Sequence, residues 1–131
     1  MSKKNPLLKY KQLWLIVGYG LIAYVLYSSL TSDPITMDVK FFDKYAHVFG
    51  YFVLMGWFMQ IYHAKKTVYM CAIFFIVMGI SLEFLQAMTG YRFFDVYDML
   101  ANTTGVLLAW MLVRTPFPEI LSYIESKLLK N

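Results

Sequence analysis

Four apolar stretches, each close to the roughly 20 residues that an α-helix needs to cross the hydrocarbon core of a bilayer, make up most of this chain of 131 residues. They run from Leu13 to Leu30, from about Tyr45 to Tyr62, from about Val68 to Met88, and from about Phe94 to Val113. The connections are short, and 60% of the residues are hydrophobic against 15% charged, which excludes an ordinary soluble domain. The expectation is an all-α integral membrane four-helix bundle that occupies residues 1–131 as one domain.

The first stretch follows Lys3, Lys4, Lys9 and Lys11, as a signal peptide would. Its apolar run exceeds the usual ~7–15 residues and no small-x-small cleavage site follows, so it reads as a retained helix. The single cysteine, Cys71, lies within the third stretch, which excludes an intrachain disulfide and a cysteine-based metal cluster. A formal charge of +4 does not point to nucleic acid, because the basic residues flank apolar spans rather than lining a soluble face.

Those basic residues set a topology. With both termini in the cytoplasm, Lys3, Lys4, Lys9, Lys11, Lys65, Lys66, Arg114, Lys127 and Lys130 fall inside, against Lys40, Lys44 and Arg92 outside. The expected arrangement is therefore a multi-pass membrane protein, N-in and C-in, with the lipid bilayer as its first partner. After Pro116 and Pro118, Ile120, Ile124 and Leu128 share one helical face, as in a short amphipathic tail helix lying on the inner leaflet. The longest connection, Thr31 to Phe42, is broken by Pro34 and reads as a linker or a small outer lid.

Ionisable groups inside spans are costly and need a partner or a purpose. Here Asp43, Lys44 and His47 open the second helix, Glu83 and Gln86 lie in the last turns of the third, and Arg92, Asp95, Asp98 and Asn102 surround the start of the fourth. Asp43 and His47 are i,i+4, Glu83 and Gln86 are i,i+3, and Asp95, Asp98, Asn102 and Gly105 step along one helical face. On this topology all three stripes lie at one depth in the outer half of the membrane, and facing one another around a common site satisfies them at least cost. Structural alternatives stand beside this: Asp95 as a helix N-cap, Lys44 and Arg92 as interfacial anchors, Glu83 and Gln86 as interhelical glue.

The run Asp43-Lys44-Tyr45-Ala46-His47 with Tyr51 downstream, Glu83-Phe84-Leu85-Gln86, Arg92, and Asp95 through Asp98 to Asn102-Thr103-Thr104-Gly105 resembles the VanZ-like family of small bacterial membrane proteins. The segment Ala87 to Tyr91 lacks the proline found before the arginine in many members. The resemblance implies a multi-helix membrane protein with a link to teicoplanin tolerance or the cell envelope, and no reaction.

Three uses of the site are open at this stage. Lys44, Arg92 and a protonated His47 suit an anionic envelope molecule such as a lipid-linked cell-wall precursor, with Gln86 and Asn102 adding directional hydrogen bonds. The carboxylates Asp43, Glu83, Asp95 and Asp98 would position those cations or hold a divalent cation. Alternatively, His47 or Glu83 acts as general acid/base in a metal-assisted hydrolase or transferase, or the site belongs to a proton-linked transporter or a structural module, in which an oligomer would complete a pathway.

Overall fold

A computed structural model describes residues 8–31, 42–91 and 94–129, and among them every regular element is helical. Five α-helices follow in order: α1 (Lys11–Leu30), α2 (Phe42–Ile61), α3 (Lys65–Met88), α4 (Val96–Trp110) and α5 (Ile120–Leu128). A 3-10 turn, Phe117–Glu119, leads into α5. By length and composition, α1 and α3 can each cross a membrane. The linker centred on Pro34, and Arg92, lie outside the described residues.

Helix boundaries depart from the apolar runs where capping overrides hydropathy. α2 begins at Phe42, so Asp43 and Lys44 sit inside its first turn, with the acid at the favourable positive end of the helix. α4 is shorter than its apolar run because Asp95 caps it, its Oδ1 accepting the Tyr97 N–H at 2.8 Å, and because the chain turns away after Trp110. Between α3 and α4 the reversal uses Gly90 at φ +83°, a conformation that side chains with a Cβ rarely adopt.

α2 is the central element, packed most extensively on α4 and touching α1, α3, the 3-10 turn and α5. Leu54, Met55 and Met59 of α2 meet Ala72 and Phe75 of α3 and Val106 and Ala109 of α4 in the core. The α2–α4 approach is set by Gly105, where an added Cβ would lie 2.3 Å from the Val48 carbonyl oxygen and 2.9 Å from the Phe52 nitrogen. Only a glycine lets the two backbones meet at this distance.

The outward surface is apolar along the helices. Ile16, Tyr24 and Tyr27 of α1, and Met70, Phe74 and Val77 of α3, are all exposed. α1 is the least enclosed helix, with Gly18 as its one buried residue. Polar ties at both ends add to the packing of Leu15, Leu21, Ile22 and Val25 against the core. At its C-terminus the carbonyls of Ser29 and Leu30 accept from Gln86 Nε2 at 2.7 Å and Tyr91 Oη at 2.6 Å. At its N-terminus the Glu125 carboxylate of α5 accepts the backbone N–H groups of Lys9 and Tyr10 and the Trp14 indole N–H, the last at 2.6 Å.

Candidate functional site

The N-termini of α2 and α4 and the C-termini of α1 and α3 share one end of the molecule, because successive helices run antiparallel and the ties above join neighbouring ends. The polar stripes meet there. Lys44 Nζ lies 2.6 Å from Asp43 Oδ2, 2.7 Å from Asp95 Oδ2 and 2.7 Å from Asp98 Oδ1. An ammonium has three N–H donors, so each is committed to a carboxylate. Carboxylate oxygens of Asp43, Asp95 and Asp98 lie within 4.8 Å of one another, a spacing that would also suit a cation, and the Lys44 ammonium already serves that role.

Asp98, 8% exposed, passes the network inward. Its Oδ2 faces His47 Nε2 at 3.7 Å, while His47 Nδ1 lies 2.7 Å from Asn102 Oδ1. The orientation of the Asn102 amide follows from its other side, where Nδ2 points to the Gly79 carbonyl oxygen at 3.5 Å. Flipping it would set two carbonyl oxygens against each other, so His47 Nδ1 carries a hydrogen and donates to Asn102. His47 Nε2 is left facing the Asp98 carboxylate.

Glu83, 1% exposed, stands beside this chain and receives the Asp95 backbone N–H on Oε1 at 2.6 Å. Asp95 therefore has three separate ties: its N–H to Glu83, Oδ1 capping α4, and Oδ2 to Lys44. It joins α2, α3 and α4 at one residue, so its capping and cluster roles coexist.

Of the residues singled out from sequence, Asp43, Lys44, His47, Glu83, Asp95, Asp98 and Asn102 come together here. Gln86, 2% exposed, is turned to the α1 carbonyl of Ser29 instead, the interhelical glue of the structural alternative. Two further contributors, Tyr51 and Gly79, lie outside the set that charge alone singles out. Tyr51 is 2% exposed, yet its hydroxyl has no hydrogen-bond partner among the described residues. Its ring runs past Gly79, where an added Cβ would lie 3.3 Å from Tyr51 Cε2 and 2.9 Å from Asn102 Cβ. Tyr51 extends the Asp43–His47 stripe by one more i,i+4 step, and Gly79 precedes Glu83 by the same step, so the signal was in the spacing.

The opposite end holds a separate polar set. Gln60 Nε2 donates to the Phe117 carbonyl at 2.8 Å while its Oε1 accepts the Leu121 N–H at 3.0 Å, and His63 Nε2 lies 3.1 Å from the Pro118 carbonyl. Burial pushes the Glu125 carboxyl up, but the Trp14, Lys9 and Tyr10 N–H donors and the nearby Lys9 charge outweigh it and hold the group below its ordinary value. These groups join α1, α2 and α5 and take no part in the Lys44 cluster.

An uncharacterized protein of Schizosaccharomyces pombe is 32% identical over 82 residues, an alignment covering 58% of this chain and 49% of that protein. The chain thus spans about half the length of this curated relative. No solved structure matches it. Residues 6–121 match the family model described as VanZ/LLP1, a span that takes in α1 to α4 and every residue of the Lys44 cluster. The chain belongs to the VanZ/LLP1 family.

Proposed function

We propose that this chain is a four-helix, multi-pass protein of the bacterial cytoplasmic membrane, N-in and C-in, whose outer-face polar cluster binds the head of an envelope molecule such as a lipid-linked cell-wall precursor. The observation that carries this reading is the convergence of seven polar side chains from three elements at one end of a molecule whose flanks are apolar. Beside this set the buried Tyr51 hydroxyl has no partner among the described residues, and the rim of the set is open, since the Asp43 side chain is 60% exposed.

The geometry narrows the ligand chemistry. Lys44 is saturated by carboxylates, so phosphate binding at Lys44 requires exchange against Asp43, Asp95 or Asp98. Among the described residues, the free capacity on Asp43 and Asp95 is acceptor capacity, and the Tyr51 hydroxyl adds one donor together with its acceptor lone pairs. Hydroxyl and ammonium groups of a sugar or aminoacyl head suit it better than a bare phosphate. A metal-assisted hydrolase or transferase is the second reading, favoured by the spacing of Asp43, Asp95 and Asp98. There a divalent ion would take the place of the Lys44 ammonium, leaving His47 as the acid/base group.

The test is binding of lipid-linked cell-wall precursors and common phospholipids to protein in nanodiscs, with and without Mg²⁺, for wild type, Asp98→Asn and Glu83→Gln. Selective binding of the precursor, lost at least tenfold in both folded variants, is expected. Equal binding of all lipids, or unchanged binding in the variants, would overturn the proposal; Mg²⁺-dependent turnover would favour the hydrolase. Teicoplanin susceptibility of a deletion strain then tests the envelope link.

A further inference from the structure

α5 is built inside out for a helix surrounded by water. Its inward residues are Leu121, Ser122 and Glu125, whereas Ile120, Tyr123, Ile124 and Leu128 are exposed. A helix in water would turn Ile120, Ile124 and Leu128, which share one flank, against the protein and leave the glutamate outside. The inversion has a local cause, since Glu125 supplies the acceptors that the start of α1 otherwise lacks: Tyr10 makes no side-chain cap there. An apolar flank left out by that arrangement needs an apolar neighbour.

The surroundings specify which neighbour. α5 lies at the end where α1 and α3 begin, and Lys9, Lys11, Lys65, Lys66, Arg114 and Lys127 are all exposed there. Lys127 Nζ lies 5.5 Å from the Tyr123 ring centre and Lys11 Nζ 5.1 Å from that of Tyr62, each ammonium held over an aromatic ring at the rim. Among the described residues, the acids of this end are Glu119 and Glu125, and Glu125 is turned inward. An apolar flank inside a cluster of cations is the complement of a leaflet rich in acidic phospholipids.

We infer that α5 is a membrane-surface helix that seats its Ile120–Ile124–Leu128 flank in the cytoplasmic leaflet and gathers acidic phospholipid headgroups beneath α1, α3 and α5. The inference rests on the N-in, C-in membrane reading above and adds a lipid-binding site far from the Lys44 cluster. Because Glu125 holds the first residues of α1, seating α5 also fixes where α1 enters the bilayer.

A fluorophore placed singly at Ile124→Cys, Ser126→Cys, Ile16→Cys or Phe74→Cys in a Cys71→Ser background reads this out in nanodiscs of phosphatidylcholine with or without phosphatidylglycerol. The Ile124 label is expected to be quenched several-fold more by a lipid-borne quencher than the Ser126 label, and more strongly when phosphatidylglycerol is present. Exchanging Lys66 and Lys127 for Gln should remove the phosphatidylglycerol dependence and leave the Ile16 and Phe74 labels unchanged. If the Ile16 and Phe74 labels meet lipid while the Ile124 label meets only a water-soluble quencher, the α5 inference fails alone. Water-exposed labels at all of these positions would overturn the membrane reading itself. Ile124 quenching that ignores phosphatidylglycerol would overturn the acidic-lipid assignment.

Discussion

Lys44 carries more of the site than any other side chain, since three carboxylates from two helices and the α3–α4 connection depend on one ammonium. Replacing it with Met leaves these acids within 4.8 Å of one another without a cation. Breaking a buried pair costs about 3 kcal/mol, reduced here by the exposure of Asp43. Thermal unfolding in detergent should therefore show Lys44→Met strongly destabilised. The double variant Lys44→Met/Asp98→Asn should lose about 1 kcal/mol less than the sum of the single losses, because the second change removes a charge that the first has orphaned. Strict additivity would mean that the two groups do not interact in the folded protein. At Gly105 the argument is steric: a methyl group would press on Val48 O and Phe52 N, both backbone atoms that no rotamer change can move. Gly105→Ala should cost about 2 kcal/mol by overpacking, measurable in the same unfolding experiment, and should separate α2 from α4.

α1 shows how an element with little packing is kept in place. Its flanks are exposed, and its two ends are held by side chains from α3, α5 and the α3–α4 connection. Its N-terminal tie is pH-dependent with a definite sign. The folded Glu125 carboxyl lies below its ordinary 4.5, so the stability it adds is complete above that value and is lost as pH falls through the lower folded value. Trp14 donates to Glu125, so its fluorescence should report release of the α1 start in that acid range, and Glu125→Gln should abolish the transition. A transition that persists in the variant would assign it to another group. This tie could not be read from sequence, because Lys9 and Glu125 are 116 residues apart and nothing local marks their meeting. The Asp43–His47 and Asp98–Asn102 stripes were legible, since i,i+4 spacing is a local property and intramembrane charges are expensive. Their partners were less so: Gln86 shares a face with Glu83, and only the three-dimensional path of α1 diverts it to Ser29.

At the scale of the whole molecule, the two ends differ in a way that the proposed topology must respect. Among the described residues, one end gathers Asp43, Asp95 and Asp98 around Lys44 with Glu83 beside them, and the other exposes Lys9, Lys11, Lys65, Lys66, Arg114 and Lys127 around α5. Retention of cationic connections in the cytoplasm is the strongest sequence-level determinant of orientation, and acids contribute little. The basic end should therefore be cytoplasmic and the Lys44 cluster should face outward. Single cysteines at exposed positions decide this in a Cys71→Ser background, with Tyr97→Cys reporting the cluster end and Ser126→Cys the α5 end. In intact cells a membrane-impermeant maleimide should modify Tyr97→Cys and spare Ser126→Cys, which should react only after the membrane is opened. The reverse pattern would place the acidic cluster in the cytoplasm, where cell-wall precursors displayed outside cannot reach it, and would direct the search for its ligand to cytoplasmic headgroups. Modification of both positions in intact cells would mean that α1 to α4 do not all span, and the apolar flanks of α2 and α4 would then need a protein partner.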